Sequence, residues 1–275
     1  MSLFDGPAVV DLDDPLISPQ EQAALQAPTL RHVIVTTEET SQYVRASNPA
    51  VEITVIPQGV DLERAAGARK AEMRRQILTR VGLPLDTVIV GYHAPFVCLS
   101  GDHGRKDENL RTFDTDVLIS AVRRLWSEGM SFVTVLVGKP SSTIDRLART
   151  EKRLVLAGYV ERDRLFDWVG AFDVGTYPRT VDFGGRQSVK LLEYMANSAA
   201  IAAMRTDETG FLEEAGTGYT ASDPGEFCAV LRRLIASRDE RLVLIDRARA
   251  DVREHDWRTL AARYNQVLAA ADVDQ

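Results

Sequence analysis

The residues best placed to do chemistry lie in one stretch, Phe183-Gly184-Gly185-Arg186-Gln187-Ser188-Val189-Lys190-Leu191-Leu192-Glu193. Gly184 and Gly185 let a backbone come close to a ligand. Ser188 is placed to cap the helix that follows, and the free N–H groups of a helix start form an anion site. Lys190 falls in the first turn, where a cation is unfavourable to the helix itself but suits a bound anion. Glu193 follows three residues later on the same face, one turn deeper. A carboxylate there can accept two hydrogen bonds from a vicinal diol while phosphates sit at the helix end. An ordinary surface Lys190–Glu193 pair, worth a few tenths of a kcal/mol, would have the same spacing.

Other chemistry-bearing residues are scattered. His93 directly follows an apolar strand-like run, which makes it the histidine best placed for chemistry. The polar stretch from His93 to Phe113 is long for a connection and carries His103, Arg105, Lys106 and Arg111. It reads either as an anion clamp or as a solvated loop. Asp11-Leu12-Asp13 and Asp114-Thr115-Asp116 are D-x-D triplets. Hard cations need several converging oxygens, so the first is a poor metal site and the second reads better as a helix cap at Asp114 or Thr115. His32 reads as a core or edge histidine and His255 as a helix-terminus residue. No G-x-G-x-x-G follows a strand and no G-x-S-x-G is present, which disfavours nicotinamide dinucleotide enzymes and hydrolase elbows.

The elements that would position these residues alternate regularly. Apolar runs at 88–92, 132–137, 154–157, 174–177, 200–203 and, less clearly, 218–221 alternate with helical periodicity. One helix carries Val117, Leu118, Ala121, Val122, Leu125 and Trp126 on one face and ends at Gly129. Unbroken apolar strands between helices predict an α/β, doubly wound (Rossmann-like) parallel sheet covered on both faces. Ligands of such a sheet sit beyond the carboxyl ends of its strands. That rule points to the loop after Tyr92, to Gly138-Lys139, to Tyr159-Val160, to the loop from Pro178 to Ser188 that includes Arg179, and to the loop from Arg205 to Gly210. Earlier, 32–36 and 53–56 read as strands and Thr37 as a helix cap. Residues 1–60 then read as scattered short elements, 61–255 as the doubly wound domain, and 256–275 as a final helix. That helix has Trp257, Leu260, Tyr264, Val267 and Leu268 on one stripe, which would pack on residues 1–60 or on a partner.

The 275 residues carry a net charge of −7 and are 45% hydrophobic. That composition argues for a folded globular chain and against one that holds nucleic acid through its phosphates. Two cysteines in no metal-ligand spacing argue against a disulfide scaffold or a zinc site and suit a cytoplasmic location. No apolar run approaches a membrane span, and the acidic N-terminus is not expected to be a signal peptide.

Taken in order, several segments resemble the donor-binding half of GT-B glycosyltransferases, especially family 4. Val55-Ile56-Pro57-Gln58-Gly59-Val60-Asp61 resembles the family's "V-I-P-N-G-V-D" bridge. Thr115 to Ala121 resembles its first long helix, Leu136-Val137-Gly138 a strand end, and Leu156 to Val160 the nucleobase turn. Phe172-Asp173-Val174 through Pro178 resembles "A-D-V…P", Ser188 to Ala196 resembles "S-P-L-K-L-F-E-Y-M-A", Thr206 to Tyr219 the sugar-side loop, and Asp256-Trp257 the tail motif. The likeness runs from about residue 30 to the end. It implies transfer of a hexose from a nucleotide diphosphate sugar to an acceptor the sequence does not name, with retention of configuration. It implies no cofactor and no bound metal, because cationic side chains and helix N-termini neutralise the leaving diphosphate. In those terms Glu193 holds the ribose; Ser188, Val189 and Lys190 face the diphosphate, with Arg179, Gly184 and Gly185 beside them. Tyr159 and Val160 line the base, and Thr206 and Gly210 lie nearest the sugar. His93, Arg105 and Lys106 are the catalytic candidates. The chain departs from the family at Gly185, where a second carboxylate is usual, and at Phe113, where a lysine is usual. Against the family's length the chain is short by about one small domain, so the resemblance implies that residues 1–60 are a truncated acceptor-domain remnant and linker. Those departures raise an alternative, a non-catalytic or subunit-type nucleotide-sugar-binding protein whose acceptor half comes from a partner chain or a homodimer.

Overall fold

A computed structural model describes residues 6–13, 19–102, 115–181 and 188–273. The described residues form two compact units. The first takes the chain up to Val60, Ser188 and Val189, and Glu254 onward; the second takes Asp61–Val181 and Lys190–Arg253.

The first unit is a three-stranded parallel sheet of β1 (Ala8–Leu12), β2 (Leu30–Val35) and β3 (Glu52–Val55), in that order. Helices α1 (Pro19–Leu25) and α2 (Glu38–Ser47) close one apolar cluster around Val33, Val35, Leu25 and Val44. Thr37 caps α2, its hydroxyl accepting from the Thr40 N–H at 3.2 Å. The final helix of the chain (Trp257–Val273) lays Leu260, Tyr264 and Val267 against Ile34, Ile56 and Val9. Three of its five stripe residues are therefore covered by residues 1–60 of its own chain, while Trp257 and Leu268 stay exposed. His32 is a buried strand histidine bonded to Thr54 at 2.8 Å, and His255 lies in the turn before the final helix, bonded to the Gln58 carbonyl at 3.0 Å. Asp11 and Asp13 are spoken for as well: Asp11 accepts from the Tyr264 hydroxyl at 3.3 Å and Asp13 from the Gln58 amide at 3.1 Å.

The second unit begins with α3 (Leu62–Gly67) and α4 (Lys70–Val81). Six parallel strands follow: β4 (Val88–Val97), β5 (Phe132–Pro140), β6 (Leu154–Gly158), β7 (Val174–Tyr177), β8 (Ala200–Met204) and β9 (Gly218–Ala221). Their spatial order is β6-β5-β4-β7-β8-β9, which reverses direction between β4 and β7. That reversal is the switch point at which doubly wound sheets bind ligands. The helices between strands are α5 (Asp116–Ser127), α6 (Ser142–Thr150), α7 (Arg162–Val169), α8 (Val189–Ala196) and the short α9 (Phe211–Glu214); α10 (Pro224–Ala236) and α11 (Arg238–Asp251) follow β9, and the chain's last helix is α12. Val90, Leu136, Val174 and Ala202 meet Leu118, Val122 and Leu125 of α5 and Phe227 and Leu231 of α10 in the main core.

Two details differ from the sequence expectation. The first strand does not stop at Tyr92 but runs on through His93 to Val97, so the expected loop starts five residues later. The extension pairs Phe96 with Lys139 and Val97 with Pro140 past a register shift. Gly138 makes this pairing feasible: its φ is +141°, and a Cβ there would meet the Ala94 carbonyl oxygen at 2.0 Å. Second, Thr115 stands ahead of α5 without capping it, because its hydroxyl donates to the Cys98 carbonyl at 2.8 Å. The other capping candidate, Asp114, lies outside the described residues.

Candidate donor site

The site is built at the carboxyl ends of β4 and β7. Gly91 and Gly175 are register partners on these strands. A Cβ on Gly175 would meet the Tyr194 ring at 2.5 Å, and one on Gly91 would meet the Phe172 ring at 2.1 Å. The missing side chain at Gly175 leaves room for the Tyr194 ring and that at Gly91 for the Phe172 ring, so α8 packs close on the sheet. Tyr194 then ties the two strands together. Its hydroxyl donates to the Thr176 carbonyl at 3.1 Å, and a backbone hydrogen bond joins it to His93. Burial pushes its pKa well above the ordinary 10. With α8 so seated, Lys190 and Glu193 reach the strand ends.

Lys190 and Glu193 do not form the ordinary surface pair. The Lys190 ammonium lies over the rings of Tyr92 and Tyr177, at 4.7 and 5.4 Å from their centroids. Burial lowers its pKa to about 8; Glu193 and Glu208 oppose that shift, and Arg179 adds to it. Glu193 is 8% exposed, and burial raises its carboxyl to about 7 against the pull of Lys190 and Arg162. His93, 6% exposed, brings Nε2 to 3.2 Å from a Glu193 oxygen. The two atoms lack the alignment of a hydrogen bond, so Nε2 has no bonded partner. Burial first, and the Lys190 charge second, hold His93 well below its usual pKa, which leaves a neutral imidazole edge-on to Tyr194 at 5.2 Å.

A second charged corner sits beside the first. Arg179 follows β7 and donates from Nη1 to both Glu208 oxygens, at 3.1 and 3.2 Å. The Tyr177 hydroxyl donates to Glu208 and accepts from Arg179 at 3.1 Å. Glu208 is itself 4% exposed. Its loop is locked by Thr209, whose hydroxyl accepts from the Thr206 N–H at 2.8 Å and donates to the Met204 carbonyl at 2.9 Å.

The structure therefore brings together four of the sequence-selected residues, His93, Arg179, Lys190 and Glu193. Tyr159 stands 69% exposed beyond the edge strand β6, with Val160 half-buried next to it. Thr206 is buried and turned into its own loop, and Gly210 opens α9. Ser188 is half-buried just ahead of α8, which starts at Val189. Arg105, Lys106, Gly184 and Gly185 lie outside the described residues. Sequence reasoning missed Tyr92, Tyr177 and Glu208. The one available signal was a tyrosine at the end of each of the two apolar runs, 88–92 and 174–177, whose strands turn out to flank the switch point.

Residues 104–237 match the family model of glycosyl transferases group 1. No curated relative matches the sequence significantly. Among solved structures, sucrose-phosphate synthase from Thermosynechococcus elongatus is similar at 18% identity with a TM-score of 0.72, over 99% of this chain and 70% of that one. Anabaena HepE in complex with UDP and glucose is similar at 17% identity and TM-score 0.68, over 96% and 71%. WaaG, a glycosyltransferase involved in lipopolysaccharide biosynthesis, is similar at 14% identity and TM-score 0.67, over 98% and 75%. The fold is that of GT-B glycosyltransferases, and the Rossmann-like unit carries the charged site. Among the described residues no helix is long and apolar enough to cross a membrane.

Proposed function

We propose that the second unit binds a nucleotide diphosphate sugar at the β4–β7 switch point, and that the chain transfers a hexose from it to an acceptor with retention of configuration. The observation that carries this reading is the buried cluster of Lys190, Glu193 and His93 at that switch point. Lys190 and Arg179 supply positive charge where a diphosphate leaving group gains negative charge. Glu193, without an aligned partner, is free to accept the ribose hydroxyls. The exposed Tyr159 ring is offered to the base. The Anabaena relative is described in complex with UDP-glucose, which supports a sugar nucleotide as the ligand class. The reading needs no cofactor and no metal, since the cations are side chains. It places the reaction in the cytoplasm.

A second reading is favoured by Gly185, which stands where the family carries another carboxylate. In it the chain binds the donor and depends on a partner chain, or a second copy, for the acceptor half. Calorimetry with UDP-, GDP- and ADP-sugars tests both, and no heat with any of them overturns both. Donor hydrolysis or transfer by the isolated chain then separates enzyme from subunit.

A further inference from the structure

The two cations of the site carry like charge, lie at the same sheet edge, and belong to different segments. Something must hold each in place. Tyr177 touches both. Its ring carries the Lys190 ammonium at 5.4 Å, and its phenolic oxygen accepts from Arg179 at 3.1 Å. Its hydroxyl proton goes to Glu208, which grips Arg179 through both carboxylate oxygens. Glu208 in turn is fixed by the Thr206–Thr209 loop. With 2% side-chain exposure Glu208 is shut away from ligand, whereas the Arg179 side chain is 10% exposed. Tyr177 has no such freedom to move: it ends β7, between β4 and β8, and is 2% exposed.

We infer that Tyr177 is a positioning residue, which sets the Lys190 ammonium and the Arg179 guanidinium as one cradle for the β-phosphate of a nucleoside diphosphate. The inference rests on the donor-site reading above and adds the group that makes the site selective for a diphosphate. Tyr177 acts through its neighbours and touches no reacting atom.

The test is calorimetric titration of the full chain with UDP, GDP and ADP and with the matching monophosphates. Tyr177→Phe keeps the ring under Lys190 and removes the hydroxyl that links Arg179 to Glu208. Diphosphate binding should weaken about tenfold, the size of one charge-assisted hydrogen bond, and monophosphate binding less than about twofold. Equal weakening of both ligands, or no change in either, overturns the inference, because a purely structural role does not sense the β-phosphate. Glu208→Gln keeps an acceptor for both partners and drops the charge that anchors Arg179. It should show the same selective loss, and it decides the matter if Tyr177→Phe does not fold. If the unaltered chain binds none of the diphosphates, the donor-site reading itself falls, and that result is distinct from a failed variant.

Discussion

Glu193 and Glu208 are two buried carboxylates at the carboxyl edge of one sheet, and they live differently. Glu208 is fully engaged: Arg179 and the Tyr177 hydroxyl hold both of its oxygens. Glu193 is about as buried, yet its nearest partner, His93 Nε2, lies 3.2 Å away without a bonded alignment. Burial without hydrogen bonds raises the carboxyl of Glu193 to about 7. A buried polar group that its own fold leaves unsatisfied is costly to keep, and such groups cluster at functional sites. The contrast separates a carboxylate held by its neighbours from one that is buried without an aligned partner.

Removing each carboxylate should therefore have opposite effects on stability. Glu208→Ala strands the Arg179 charge in a buried setting. It should cost about 3–5 kcal/mol, read as a fall in unfolding midpoint in denaturant. A loss under about 1 kcal/mol would mean that the corner is wet and the comparison fails.

Glu193→Gln should do the reverse above neutrality. Below pH 4.5 the glutamate is protonated in both states and contributes nothing. Between 4.5 and about 7 the unfolded chain ionises while the folded chain resists, so stability falls as pH rises. Above pH 7 the full penalty, about 3 kcal/mol, is present. Denaturation series at pH 5 and pH 8 should show the gap between wild type and Glu193→Gln shifting toward the variant by about that amount. A constant gap would show that Glu193 ionises normally.

In binding, the roles differ again. Glu193→Ala should weaken nucleotide affinity by about a hundredfold or more, about 2.7 kcal/mol, while circular dichroism stays native. Unchanged affinity would remove Glu193 from the ribose. The mildest probe is Gly175→Ala. Its Cβ enters the Tyr194 ring and should cost about 1–3 kcal/mol as α8 is pushed off the sheet. Because Glu193 rides on α8 and Glu208 does not, the pH-dependent part of stability should shrink with it. Crystallography of the variant should find the Arg179–Glu208 pair intact.

Much of the frame was legible in the sequence. The alternation of apolar strands and amphipathic helices set the parallel sheet, and the carboxyl-end rule selected the loops at 93, 178–188 and 205–210. The helix cap at Thr37 follows from short-range chemistry. The extension of β4 to Val97 was not legible, because it depends on Gly138 of a neighbouring strand accepting the Ala94 carbonyl. Helix α4 was passed over as well. Its Arg74 pins it to Asp173 at 2.8 Å, a partner 99 residues away.

What the sequence determined by itself is local and periodic: the elements, their order, and a Lys190–Glu193 spacing that puts both side chains on one helical face. It left open whether that pair was a solvated surface contact or a site. The tertiary structure shows that it is not a solvated contact. Gly175 admitted Tyr194, which lowered α8 onto the switch point and took Lys190 between two tyrosines and Glu193 out of water. The physical reason is that desolvation and like-charge proximity are properties of packing between distant segments, and no spacing along the chain encodes them.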